Sequence, residues 1–294
     1  MGKKEHLIVG YGSWGKKIFE NIKKKNFFKR VYIKSRRKNY IFENKRLNEV
    51  KKIHNTKKFY SAHICTPLKK HFYYAKKLNV EKLIIEKPTF HTQNCFKNIK
   101  AKKKKIITNY SDLYSPKLLD LYRNFELKKK GIFILKYRNK TLKYKKNFEC
   151  LTDWMDHPLS IILFFFKALD NFEIINFKRK KVQTFICESL LIKFYDKNYK
   201  VFVDLNTYSD KNKIRSLRIK NKNQTQEYNF YKFQYKNLKK NKVKKIISSK
   251  SNSILNVYKT FYIKKRQIVK DDLKFSEKIF IVKSKIIKAI KKNY

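Results

Sequence analysis

The 294 residues carry 76 lysines and arginines against 22 acidic residues, a formal net charge of +54, yet 42% are hydrophobic and 16% aromatic. That aromatic load excludes a disordered chain, and the length allows one large domain or two medium ones with ample cores. Only ten of the basic residues are arginine, the residue that base reading and bidentate phosphate clamps favour, so the charge argues against a specific nucleic-acid partner.

Lys, Asn, Ile, Phe and Tyr are over-represented together, the residues that A- and T-rich codons write, and the lysines run along the whole chain. The charge therefore reads as composition bias on solvated faces, with weak, salt-sensitive sticking to polyanions as its consequence. Cys65, Cys95, Cys150 and Cys187 are far apart and form no CxxC pair, a pattern without a disulfide framework or zinc finger that fits a reducing cytosol. The apolar run near the start is too short for a signal peptide. The longest wholly apolar run, IILFFF at 161–166, is too short to cross a bilayer. A cytoplasmic protein without a membrane partner is expected.

In chain order, HLIVG (6–10) reads as a short buried strand, and from Ser13 the pattern turns helical, with Trp14, Ile18 and Ile22 at four-residue spacing and Phe19 beside them. Three of the five glycines in the chain, Gly10, Gly12 and Gly15, lie at this junction. A G-x-G-x-x-G between strand and helix is the dinucleotide fingerprint: a tight turn, a backbone that a pyrophosphate can approach, and close helix–strand packing. Ser13 and Trp14 open the helix, whose N-terminal N–H groups suit phosphate. The bland alternative is a tight turn without a ligand.

VYIKS (31–35) reads as the next strand, and at its end Ser35-Arg36-Arg37 stands where NAD-preferring proteins place an acid. The two arginines suit the 2′-phosphate of NADP, which is favoured over NAD. FYSAHICTP (59–67), LKKHFYYAKKLN (68–79) and KLIIEKP (82–88) then read as strand, helix and strand, the spacing of a parallel sheet. The glycine turn, Thr66-Pro67 and Glu86-Lys87-Pro88 all fall at strand C-termini, where such sheets bind ligands.

Together, GYGSWGKK, Thr66-Pro67 with His71 four residues beyond the proline, and Glu86-Lys87-Pro88 resemble the Gfo/Idh/MocA oxidoreductases. The G-x-G-x-W-G form is similar to members acting on nucleotide-linked sugars of surface polysaccharides. The resemblance implies a Rossmann, doubly wound parallel sheet over 1–108 and an α+β substrate-binding domain on a largely antiparallel sheet over 109–294. It implies NADP or NAD held by Gly10, Gly12, Ser13, Trp14, Gly15, Ser35, Arg36, Arg37, Thr66, Pro67, His71, Glu86 and Lys87. It also implies a sugar-like substrate and a homodimer through the second sheet.

LTDWMDHP (151–158) matches the Asp-x-x-x-His helix of that family with Asp153 and His157. By this resemblance His157 exchanges the substrate proton, Asp153 orients it, and Lys87 binds the reacting oxygen. An imidazole suits the first role because it titrates near neutrality. Two other readings of the helix exist: His157 as a structural histidine, and Cys150, Asp153 and His157 as metal ligands. No fourth ligand suggests itself, so no metal is expected. The chain departs from the family in lacking the glycines usual before this helix, NFEC standing there, and in carrying Pro158 after the histidine.

NYSDLYSP (109–116) resembles the stretch that joins the two family domains. GIFILKYR, NFEIINFKRK, SLLIKFYD, KVFVDLN and SLRIKNK then alternate at period two, as strands of an antiparallel sheet with one solvated face. The lysine-dense 235–250 reads as an exposed loop or extension, and 271–292 as a closing helix. The function expected is hydride transfer between a nicotinamide and a secondary alcohol or ketone of a sugar or nucleotide-sugar. Two alternatives stand: a non-catalytic nucleotide-binding member and a basic polyanion-binding protein.

Overall fold

The computed structural model describes residues 4–25, 27–54, 57–100, 105–125, 130–139, 151, 154–167, 169, 171–182, 185–207, 213–222, 224–232, 234–239, 242–248, 252–263, 268–269 and 272–294. The chain forms two compact units, one of residues 1–110 with 254–280 and one of 111–253 with 281–294.

The first unit is built on a seven-stranded sheet. Its strands are β1 (Glu5–Val9), β2 (Arg30–Lys34), β3 (Asn39–Glu43), β4 (Arg46–Val50), β5 (Phe59–Ile64), β6 (Val80–Ile85) and β7 (Lys105–Thr108), in the order β4-β3-β2-β1-β5-β6-β7. From β2 to β7 all pairs are parallel. Strand β1 is central, and Leu7, Ile8 and Val9 are essentially buried, as expected of a strand covered on both faces. Helices α1 (Ser13–Lys23), α2 (His71–Lys77) and α3 (Gln93–Lys100) connect the parallel strands. Helix α1 buries Gly15, Ile18, Phe19 and Ile22, the face that its sequence spacing marks.

β3 and β4 pair as an antiparallel hairpin on the edge. Asn44 and Lys45 between them both have positive φ, 50° and 63°, as a type I′ hairpin turn demands. Asn tolerates this conformation; a lysine does so with strain that glycine would avoid. Also in this unit are α6 (Ser253–Tyr258), apart from its first residue, and the start of α7 (Asp272–Asn293). Asp272 accepts the backbone N–H of Thr108 at 2.7 Å, and the Ser276 and Thr108 hydroxyls are 2.7 Å apart.

The second unit has an eight-stranded sheet in the order β15-β14-β13-β12-β8-β11-β10-β9. The strands are β8 (Gly131–Arg138), β9 (Phe172–Val182), β10 (Phe185–Tyr195), β11 (Tyr199–Asn206), β12 (Ile214–Asn221), β13 (Gln224–Asn229), β14 (Gln234–Lys239) and β15 (Lys242–Ser248). Only β8 and β11 pair in parallel; the rest of the sheet is antiparallel. Helix α4 (Pro116–Arg123) and the apolar α5 (Asp156–Phe166) belong to this unit. Phe125, Phe133, Phe165, Phe166 and Tyr199 interlock at ring separations of 5.0–6.1 Å.

One expectation is corrected here. The lysine-dense 235–250 is not a loop: most of it forms β14 and β15, with Tyr235 opposite Ile247 and Leu238 opposite Val243. A register shift between Asn237 and Leu238 breaks the period-two alternation, which hides the pair of strands among the lysines. Among the described residues no helix is long and apolar enough to cross a membrane.

Candidate functional site

In the first unit the polarity of the sheet gathers the fingerprint residues. The crossover direction reverses between β1 and β5, so the C-terminal ends of these strands form a topological switch point. Gly10 follows β1 with φ +97°, and a Cβ there would lie 2.7 Å from the carbonyl oxygen of Cys65, at the end of β5. A Cβ at Gly15 would lie 2.1 Å from the carbonyl oxygen of Gly10. These two glycines are fixed by the turn and by helix packing. Gly12 differs: a Cβ there would meet nothing within 4 Å. Gly12 is the N-cap of α1 and supplies no side-chain cap, and the first turn, beginning Ser13-Trp14, holds no acid. The result is a helix N-terminus open to an anion, over a backbone bare of side chains.

The other residues of this group lie around the turn. The Gly10 N–H donates to the carbonyl of Lys34 at 2.8 Å, which brings the end of β2, and the Ser35-Arg36-Arg37 that follows it, beside the glycine. Ser35 closes a local turn by donating to the Lys38 carbonyl at 2.5 Å, and Arg36 and Arg37 are exposed. His71 is buried, and among the described residues its ring nitrogens meet carbonyl oxygens: Thr66 from Nε2 at 2.7 Å, and Pro88 and Thr89 from Nδ1 at 3.0 and 3.1 Å. It ties the Thr66-Pro67 loop to the segment after Lys87. Burial lowers the pKa of His71, against the pull of the three carbonyls. The Lys87–Pro88 peptide bond is cis, and Lys87 is half-buried.

Glu86 is nearly buried, and its Oε1 accepts from His63 Nε2 at 2.9 Å and Asn109 Nδ2 at 2.6 Å. Burial opposes its ionisation, but His63, Asn109 and the indole of Trp14 together hold its pKa below the ordinary value. The Trp14 nitrogen is buried and falls short of hydrogen-bond geometry, so its influence on Glu86 is that of a nearby N–H dipole. The Cys65 sulfur completes a trio with His63 and Glu86 whose donor atoms lie within 4.8 Å of one another. Burial, reinforced by Glu86, pushes that thiol well up, and His63 and Glu86 already partner each other.

In the second unit His157 lies in the first turn of α5, and its Nδ1 is 3.4 Å from Oδ2 of Asp112. Asp112 sits in the 3₁₀ turn Ser111–Tyr114. The same Oδ2 accepts the Tyr137 hydroxyl at 3.0 Å and a hydrogen bond from Arg215. Tyr137 on β8 and Arg215 on β12 are register partners, and the guanidinium lies 5.0 Å from the centre of the tyrosine ring. Burial works against the charge of Arg215, but Asp112 and Tyr137 raise its pKa above the ordinary value. Burial, then Asp112, push that of Tyr137 well up. Next to His157, Asp156 pairs with Lys283 at 2.9 Å, and both are close to fully buried.

Asp153 and Cys150 lie outside the described residues. No motif in the sequence singles out Asp112, Tyr137 and Arg215 here, or His6, His63 and Tyr258 in the first unit. The scarcity of arginine is the signal that marks Arg215. Nothing in the local pattern marks the two strand histidines.

A parallel sheet with a glycine turn at its switch point, joined in one chain to a large, mostly antiparallel sheet, is a fold shared with several oxidoreductases of known structure. The chain is similar to a dehydrogenase (MviM) from Clostridium difficile, at 13% identity over 97% of this chain and 99% of that one, with a TM-score of 0.75. It is similar to the UDP-N-acetylglucosamine 3-dehydrogenase GnnA from Acidithiobacillus ferrooxidans, at 11% identity over 97% of each chain, TM-score 0.72. A biliverdin reductase from Synechocystis sp. PCC 6803, solved with biliverdin and NADP+, aligns at 11% identity over 97% of this chain and 98% of its own, TM-score 0.70. At these identities the likeness is one of fold. No family model matches the sequence, and no curated protein does.

Proposed function

We propose that the chain is an NAD(P)-dependent oxidoreductase acting on a secondary alcohol or ketone of a sugar-like substrate. The observation that carries this is the contrast among the three glycines: two are required by turn and packing, while Gly12 leaves open space above a helix N-terminus at the switch point. A dinucleotide pyrophosphate fits that cradle, because the helix end supplies N–H donors and a positive dipole end. Gly10, Gly12, Ser13, Trp14 and Gly15 would hold the pyrophosphate. Thr66, Pro67, His71, Glu86 and Lys87 would line the nicotinamide half. Ser35, Arg36 and Arg37 would meet the ribose, and the exposed arginine pair favours a 2′-phosphate, hence NADP.

When bound, the nicotinamide accepts or supplies hydride at its C4. The remaining chemistry is a proton. With Nδ1 turned toward Asp112, His157 exchanges the substrate hydroxyl proton through Nε2, taking it as the alcohol is oxidised and returning it on reduction. Asp112 orients the imidazole and stabilises its cationic form, the part a carboxylate plays behind a catalytic histidine. By resemblance, Lys87 binds the reacting oxygen and Asp153 assists His157. The GYGSWGKK form of the turn, together with the fold shared with a UDP-N-acetylglucosamine 3-dehydrogenase, supports a nucleotide-sugar as the substrate.

The test is a titration of the purified protein with NADPH and NADH at physiological and at high salt, followed through Trp14 fluorescence. One reduced cofactor should saturate at low micromolar levels, persist in high salt and be lost in Gly12→Val. Absence of binding, or binding that vanishes with salt and ignores Gly12, overturns the proposal and leaves polyanion binding as the better account of the charge.

A further inference from the structure

One set of buried polar side chains in the first unit has no part in the reaction above. It begins at Ser61 on β5, whose hydroxyl is 2.7 Å from Nδ1 of His6 on β1. Nε2 of His6 is 3.3 Å from the hydroxyl of Tyr258, on α6. That hydroxyl is 2.6 Å from Nδ1 of His63, and the other nitrogen of His63 reaches Glu86 at 2.9 Å. Ser61, His6, His63 and Tyr258 are all 0% exposed, so solvent cannot replace any member.

Counting protons gives the series a direction. An ionised Glu86 can only accept, so His63 presents Nε2–H to it. The Tyr258 hydroxyl has one proton and stands between two imidazole nitrogens. The 2.6 Å contact suits an O–H donating to Nδ1 of His63, and the 3.3 Å contact suits an N–H of His6 donating to the tyrosine oxygen. Nδ1 of His6 then accepts from Ser61. Four hydrogen bonds point the same way and end on Glu86, with both imidazoles neutral. Burial, which holds the pKa of His6 well down and that of Tyr258 well up, agrees with this assignment.

Glu86 follows β6, in the strand order β2-β1-β5-β6. In a sheet of this kind the ribose-binding position at the end of β2 takes the adenosine half of a dinucleotide, which leaves the ends of β5 and β6 for the nicotinamide half. We propose that the Ser61–His6–Tyr258–His63 series is a positioning device that fixes Glu86 as a carboxylate, and that this charge makes the site favour the oxidised, cationic nicotinamide over the reduced, neutral one. The inference rests on the cofactor reading of this unit. The neighbouring Cys65 thiol adds no charge, and His71 and Lys87 are unchanged in the variants compared, so the comparison reads the charge of Glu86 alone.

The experiment measures the dissociation constants of the oxidised and reduced cofactor by calorimetry, for the full chain and for Glu86→Gln and Tyr258→Phe. Removing one unit charge from a partly buried site should move the oxidised-to-reduced affinity ratio by about tenfold toward the reduced form. Tyr258→Phe removes the donor that fixes the tautomer of His63 and so loosens the N–H that is held on Glu86. Its ratio should move the same way by a smaller factor. Structural damage alone would weaken both affinities together and leave the ratio in place. An unchanged ratio in Glu86→Gln overturns the proposal. If that variant binds neither form, an unchanged ratio in Tyr258→Phe does so. Failure of the unaltered protein to bind either form overturns the cofactor reading instead.

Discussion

Alanine at each of the three turn glycines separates packing from ligand binding. At Gly15 the added carbon would stand 2.1 Å from a backbone carbonyl oxygen, where even a close favourable C–H···O contact needs about 3.3 Å. Helix α1 would have to move off β1 by about an ångström, disturbing Ile18, Phe19 and Ile22 beneath it. Overpacking of this kind costs about 1–3 kcal/mol, and the upper end applies because the opposing atom is backbone and cannot rotate away. Gly10→Ala combines a similar clash with a positive φ that costs roughly 1–2 kcal/mol more. Gly12→Ala meets nothing, and its only stability cost is a poorer N-cap, about 0.5 kcal/mol or somewhat more. Urea unfolding of the three variants, beside an NADPH titration of each, gives the readout. The expected pattern is strong destabilisation at 10 and 15, and at 12 near-normal stability with at least tenfold weaker cofactor binding. A Gly12→Ala protein as unstable as Gly15→Ala, or one that binds NADPH normally, refutes the reasoning.

Three further outcomes follow from the same geometry. Lys283→Met should cost about 3–5 kcal/mol in urea unfolding, because it leaves the Asp156 carboxylate buried without its partner, and the double variant with Asp156→Leu should recover most of that; equal losses in both would refute it. His6 is buried and its pKa is held well below 6.5, so it contributes stability that is full above that pH. That contribution is lost as the pH falls toward the folded value, at about 1.4 kcal/mol per pH unit. Unfolding measured at pH 7, 6 and 5 should therefore show a shallower acid slope in His6→Gln than in the unaltered chain. Replacing Arg36 and Arg37 together by alanine should weaken NADPH about tenfold, the scale of one charge-assisted hydrogen bond, and leave NADH unchanged; equal weakening of both would remove the 2′-phosphate from the account.

Much of the scaffold was legible because its strands keep their alternation and its turns keep their glycines. The glycine junction, the Thr66-Pro67 and Glu86-Lys87-Pro88 strand ends, β8 through β12 and the closing helix all carry local signals. The β3–β4 hairpin carried almost none, since Asn44-Lys45 occupies a turn that Asn-Gly would announce. β14 and β15 were masked by a register shift amid lysines. The polar clusters were hidden for a different reason. The β8–β12 register sets Arg215 opposite Tyr137 and Asp112 meets both, and His6 meets Tyr258 across 252 residues of chain. Such pairings are properties of the fold, and no window of the sequence contains both partners.

Composition itself becomes informative once the fold is known. In a chain where lysine outnumbers arginine so heavily, an arginine marks a place where a point charge would not serve. Arg30, Arg123, Arg138, Arg179, Arg215 and Arg218 each pair with a carboxylate. For Arg138, Arg179 and Arg215 that carboxylate is itself mostly or fully buried, at 19%, 0% and 6% side-chain exposure. Among the described residues Arg36, Arg37 and Arg46 make no such pair; Arg46 opens the edge strand β4, while Arg36 and Arg37 stand side by side, exposed, just beyond the end of β2. Fold stability does not account for two adjacent arginines there; under the proposed function a doubly charged phosphate ester with several acceptor oxygens would. The same reasoning covers Gly12, a glycine that neither φ nor packing requires. Gly12 and the arginine pair follow the neighbouring strands β1 and β2, where a dinucleotide with a 2′-phosphate would account for both.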